Sequence, residues 1–161
     1  MDKAPKNSRL FQICIFEGWA KKTVEHRINR ILIIEKNITF RNTLKNFLQS
    51  RFPAMVLEEA KNGEEALQKA TYFCPDIIFM DIKLPTEAAA INKKLKNMFP
   101  KVTVVLFTNY DPNEYRGAAE ESEANYILQK GASTAEEIEG LVDSILNFTH
   151  SSRLREVSQT F

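Results

Sequence analysis

The regular part of the chain opens at residue 31. Ile31, Leu32, Ile33 and Ile34 form a short apolar run rich in β-branched residues, the pattern of a strand covered on both faces. Phe40, Leu44, Phe47 and Leu48 then recur at spacings of three and four, which predicts an amphipathic helix stopping before Pro53. Met55 to Ala60 predicts a second strand, Asn62-Gly63 a turn, and Glu64 to Tyr72 a helix with Ala66, Leu67 and Ala70 on one face. Ile77-Ile78-Phe79-Met80 predicts a third buried strand that runs out on Asp81. Ile91, Leu95 and Met98 mark a helix ending before Pro100. Val102 to Phe107 predicts a fourth strand, Glu114 to Glu121 a weakly amphipathic helix, and Tyr126 to Leu128 a short fifth strand. The last helix, Thr134 to Leu146, turns Ile138, Leu141, Val142 and Ile145 inward. Ser133 or Thr134 is expected to cap it, and the glutamates of its first turn suit the helix dipole.

Strands alternating with helices imply a parallel sheet covered on both faces. In such sheets the functional crevice lies at the carboxyl ends of the strands. The residues at those ends are Glu35, Lys36, Asp81, Thr108 and Gln129, so topology alone predicts one polar cluster there. The predicted domain covers residues 30–147. Residues 1–29 form an N-terminal extension, and residues 148–161 read as a polar, flexible tail.

The 161 residues fit one domain with a little left over, large enough to bury a core without a disulfide or a metal. Basic residues number 22 against 21 acidic, a net charge of +1, which provides no electrostatic footprint for nucleic acid and no polybasic run for a membrane. The apolar stretch Leu10 to Phe16 is far shorter than the roughly 20 residues a spanning helix needs. It also lacks a signal-peptide cleavage pattern, so the cytoplasm is the expected compartment. Cys14 and Cys74 have no partners at zinc-ligand spacing and read as reduced thiols. His26 and His150 lie in the terminal segments and read as surface residues.

Three segments share a pattern with one family. Ala60-Lys61-Asn62-Gly63-Glu64-Glu65-Ala66-Leu67 resembles the second strand-to-helix junction of response-regulator receiver domains of the CheY-like type. Pro75 to Pro85, with Asp81 at its centre, resembles their third strand, phosphorylated aspartate and proline loop. Val104 to Asp111 resembles their fourth strand with its switch threonine. The resemblance covers about Arg30 to Leu146. It implies a flavodoxin-like (βα)5 fold, doubly wound, with strand order 2-1-3-4-5.

The resemblance also implies a chemistry. A carboxylate attacks a phosphoryl group, and a divalent cation and a lysine neutralise the charge on the phosphoryl oxygens. On the family's pattern Asp81 is the acceptor, and Glu35, Asp81 and the Lys83 carbonyl are the metal ligands. Thr108 is the switch hydroxyl and Tyr126 the switch aromatic. The sequence departs from the pattern at three site positions. Lys36 stands where a second acidic residue belongs. Gln129 stands where the lysine belongs, three residues after Tyr126, while Lys130 is next to it but expected on the opposite face. Asn109 replaces a small residue and is expected to crowd the phosphoryl position. The loop after Pro85 also lacks the family's glycines. Exchanging a carboxylate for an ammonium shifts the local charge by about two units. At about 4 Å and an effective dielectric near 20, each unit pair is worth about 4 kcal/mol. Lys36 is therefore expected to weaken Mg²⁺ binding, and to pair with Asp81 in the metal's place.

The reading that follows is a stand-alone receiver module in phosphorelay signalling, weakly or atypically phosphorylated on Asp81. A histidine kinase or phosphotransfer protein is the expected donor, and a downstream protein is expected at the helix-four, strand-five surface. The only catalysis expected is transfer of the phosphoryl group to its own Asp81 and its hydrolysis. The alternative is a pseudo-receiver that binds partners without phosphorylation. A flavodoxin-like cofactor binder is disfavoured, because Glu35-Lys36-Asn37-Ile38 has no phosphate-cradling run. The N-terminal segment, with Phe11, Ile13, Ile15, Phe16 and Trp19, reads as an extension of the domain or as a homodimer or partner contact.

Overall fold

The structure, a computed structural model, describes residues 29–81, 85–109 and 123–158. In chain order the elements are β1 (Arg30–Ile34), α1 (Ile38–Arg51), β2 (Val56–Ala60), α2 (Gly63–Phe73), β3 (Ile77–Asp81), α3 (Pro85–Met98), β4 (Thr103–Thr108), β5 (Tyr126–Gln129) and α4 (Ala135–Ser158). The strands form one parallel sheet in the order β2-β1-β3-β4-β5, as the alternation of elements predicts. The helix expected at Glu114 to Glu121 and the N-terminal extension lie outside the described residues.

Successive residues of each strand face opposite sides of a sheet, and here they divide the core in two. Leu32, Ile34, Ile78, Met80, Val104 and Leu106 pack on Ala66 and Ala70 of α2 and Leu95 of α3. Ile31, Ile33, Ile77, Phe79, Val105 and Phe107 pack on Leu44 and Leu48 of α1 and Val142 and Ile145 of α4. Both faces of β1 and β3 are therefore buried, which is why these strands read as unbroken apolar runs. Burying each such side chain contributes about 1.5–3 kcal/mol before entropy is charged against it.

Local chemistry fixes where the helices begin. The Asn37 side chain accepts from the Phe40 amide at the start of α1, and the Asn62 side chain accepts from the Glu65 amide at the start of α2. At α4, Thr134 and Glu137 exchange side-chain and backbone hydrogen bonds, a capping box. Thr134 is therefore the cap, while the Ser133 hydroxyl accepts from the Gln129 amide.

Two expectations are corrected. The final helix does not stop near Leu146 but continues to Ser158, so the tail expected to be flexible is in large part helix. Cys74 is disulfide-bonded rather than a reduced thiol, and it is the only cysteine among the described residues. No helix among the described residues is long and apolar enough to cross a membrane.

Gly63, the first residue of α2, is required by packing. A Cβ there would stand 2.5 Å from Cδ1 and 2.6 Å from Cγ1 of Ile91 on α3. Gly63→Ala is expected to lower stability by about 1–3 kcal/mol, the usual cost of overpacking, read as a reduced urea midpoint at unchanged slope. Ile91→Ala removes both atoms in conflict, so the double variant should lose less than the sum of the two single changes.

Candidate functional site

The strand register brings the polar residues together. Ile34 pairs with Met80, which sets Glu35 beside Asp81. Asp81 pairs with Phe107, and Thr108 with Gln129. Glu35 and Thr108 are buried, at 3% and 0% exposure, and the Asp81 side chain is 7% exposed.

The charge that meets these carboxylates comes from Lys130. Its Nζ ion-pairs with Glu35 Oε2 and lies 2.8 Å from Asp81 Oδ1. Face parity along the sheet sets Lys130 with the acids rather than opposite them. Glu35, Asp81 and Lys130 share the parity of Ile33, Phe79 and Leu128, which belong to the face covered by α1 and α4. Gln129 shares the parity of Ile127, on the other face. The Lys130 amide also donates to the Thr108 carbonyl at 2.7 Å, continuing the β4–β5 ladder by one step. No bulge is needed. The expectation that Lys130 faces away is therefore corrected: its side chain lies with Glu35 and Asp81.

Tyr126, the expected switch aromatic, is 42% exposed at the start of β5, while Ile127 beside it packs against the core. Lys36 is exposed. Among the described residues it makes no ion pair with Asp81, against expectation; Lys130 holds that role. Asn109 is exposed at the end of β4. Lys83 lies outside the described residues.

Sequence reasoning missed two contributors. Phe40 lies under Lys130, with Nζ 4.5 Å from the ring centroid. Arg41 donates to the Glu35 carbonyl at 2.7 Å and to Glu59 Oε1 at 3.1 Å, tying the end of β1 to α1 and β2. Glu59 also accepts from Lys45 at 2.5 Å. Burial raises its carboxyl, but the hydrogen bonds from Lys45 and Arg41 outweigh burial and hold it below the ordinary glutamate value. The periodicity of α1 put Phe40 on the inner face, yet nothing in the sequence tied it to a lysine ninety positions away.

A cleft of about 150 Å³ opens over Asp81, with Lys36, Lys61, Glu87 and Ile91 in its walls. Glu35 and Asp81 are hard oxygen donors of the kind Mg²⁺ takes. Both Glu35 oxygens are already engaged, however: Oε1 by the Asn37 amide at 2.7 Å and Oε2 by Lys130. Asp81 Oδ1 has no aligned hydrogen bond despite its short distance to Lys130. The short distance carries the charge attraction. No group of three or more His, Cys, Asp or Glu that could hold a metal exists among the described residues. As arranged, the donors fit a resident divalent cation poorly: Glu35 is engaged by Lys130 and Asn37, and Asp81 lies against the Lys130 ammonium.

A doubly wound sheet with a buried carboxylate at the end of its central strand places the protein among α/β domains that act at their strand ends. The chain belongs to the response regulator receiver domain family, which it matches over residues 31–142. It is 33% identical over 102 residues to the transcriptional regulatory protein LnrK of Bacillus subtilis, covering 62% of this chain and 46% of that protein. To the response regulator GacA of Pseudomonas viridiflava it is 26% identical over 113 residues, covering 70% and 53%. The chain thus spans about half the length of these relatives. Solved structures of similar fold include a response regulator from Thermotoga maritima (TM-score 0.67, 16% identity, 75% of this chain and 99% of that one). Another is the Vibrio cholerae chemotaxis protein CheY4 (TM-score 0.63, 18% identity, 74% and 99%).

Lys130→Met would leave two buried carboxylates side by side without their cation. A loss of about 3–5 kcal/mol is expected, the cost of removing one member of a buried ion pair, measured by urea denaturation at neutral pH. A loss below about 1 kcal/mol would mean that Lys130 is a solvated surface charge.

Proposed function

We propose that this receiver domain takes a phosphoryl group on Asp81 from a histidine kinase or phosphotransfer protein and passes the change to a protein partner. The observation that carries the reading is the buried Asp81 carboxylate paired with Lys130 at the edge of the cleft. In the reaction an Asp81 oxygen bonds to phosphorus as the bond from phosphorus to the donor's leaving group breaks. The leaving group departs with the bonding electron pair, and the phosphoryl oxygens bring their own negative charge to Asp81. Lys130 is already within reach of that charge, and the buried Thr108 at the end of β4 stands on the adjoining strand as a hydroxyl donor for the same oxygens.

Receiver domains generally bind Mg²⁺ at the phosphorylation site. In this chain Lys36 replaces one acidic ligand, and Glu35 is committed to Lys130 and Asn37, so phosphorylation is proposed to be weak or atypical. The same commitment favours a second reading, a protein-interaction module that works without phosphorylation. A receiver fed by a kinase works in the cytoplasm.

Intact mass after incubation with acetyl phosphate and Mg²⁺ separates the two readings. A gain of one phosphoryl group that Asp81→Asn abolishes is the expected result; a folded protein that gains nothing belongs to the second reading. Lys36→Asp is expected to tighten Mg²⁺ binding at least about tenfold, which is about 1.4 kcal/mol, measured by calorimetry. Unchanged affinity would clear Lys36 of any part in metal binding.

A further inference from the structure

Phe40 has no polar side-chain atom to offer a phosphoryl group, yet it is in direct contact with the cation of the site. Lys130 Nζ stands 4.5 Å from its ring centroid, within the range of a cation–π attraction. The ring is fixed from behind. It meets Phe107 edge-on, with centroids 5.4 Å apart at 76°, and Phe107 stacks on Phe79 at 5.6 Å. Phe79 and Phe107 are 1% and 2% exposed, so this support is part of the rigid core. The turn that presents the ring also holds the acid: the Phe40 amide donates to Asn37 Oδ1, and the Asn37 amide donates to Glu35 Oε1.

A lysine ends in a compact charge on a flexible four-carbon stem. Two carboxylates alone leave its ammonium several ways to bridge them, including displacement outward toward water. The ring closes one side of that space and draws the charge inward.

We propose that Phe40 is a positioning residue. Its π face holds the Lys130 ammonium between Glu35 and Asp81, in place for the charge that develops during phosphoryl transfer. The kinetic half of the proposal rests on Asp81 being the acceptor; the geometric half does not.

The test compares Phe40→Leu, which keeps an apolar side chain without a π face, with Phe40→Tyr, which keeps the face. In proton NMR of the full chain, the Lys130 ε-methylene protons should be shifted upfield by the ring. They are assigned by their loss in Lys130→Met. The shift should survive in Phe40→Tyr and collapse in Phe40→Leu. Asp81 labelling by acetyl phosphate should slow roughly 3- to 10-fold in the leucine variant, the scale of a desolvated cation–π contact, and recover in the tyrosine variant. An upfield shift retained in Phe40→Leu overturns the proposal, as does equal slowing in both variants. Phe40→Met serves as the aliphatic variant if leucine does not fold. If the wild-type protein takes no phosphoryl group, the acceptor reading fails while the NMR comparison still decides the role of Phe40.

Discussion

Two ionised carboxylates repel each other strongly when buried side by side unless a positive charge lies between them, and in this protein that charge is Lys130. Glu35 and Asp81 sit at the ends of neighbouring strands, 3% exposed and, at the side chain, 7% exposed. Water is too sparse there to screen their repulsion. The lysine comes from β5's end, two strands away from Asp81 across β4, and it arrives because the ladder from β4 continues one residue past the strand. Sheet order, register and face parity thus converge on one ammonium, and removing any of them strands the acids.

The surrounding contacts serve this arrangement from behind. Arg41 grips the Glu35 carbonyl and Glu59 together, so β1, β2 and α1 are tied to one another at the site's edge. Lys69 performs a parallel task from α2, reaching Glu58 at 2.8 Å and the Glu59 carbonyl at 2.6 Å. These contacts lie on half-exposed positions and contribute modestly to stability. Their effect is to hold the backbone that aims Glu35 and the mouth of the cleft.

The fold was legible because its determinants are local and repeated. β1 and β3 are buried on both faces, so their apolar runs stand out, and alternation with helices left few topologies to choose from. The acidic and hydroxyl residues of the site were legible for the same reason: they end long, unmistakable strands. The face of Lys130 was misjudged because β5 is short and only partly buried, so its register is set by pairing rather than by its own pattern. Asn125 fixes that register, with its amide and side chain both bonded to Val104. A usable signal was present: Gly131, at φ +80°, marks a turn after Lys130 and so argues that the strand's last inward position is the lysine itself. The extension of α4 to Ser158 escaped because polar residues beyond Leu146 read as a tail.

Lys130 in the site changes what Lys36 contributes. With the lysine set aside, Lys36 looked like a substitute for both the missing cation and the metal. With Lys130 bridging the acids, the site is already supplied with one cation for two carboxylates, and Lys36 stands exposed at the cleft wall with Lys61. Counting Glu35, Asp81, Lys130 and Lys36 as ionised, the local charge sums to about zero, where an aspartate at position 36 would leave it about two units more negative. A neutral site has less attraction for a divalent cation and less repulsion for an incoming phosphoryl anion. A lysine at position 36 therefore disfavours a divalent cation by charge and eases the approach of an anion, so it is compatible with the proposed acceptor role of Asp81.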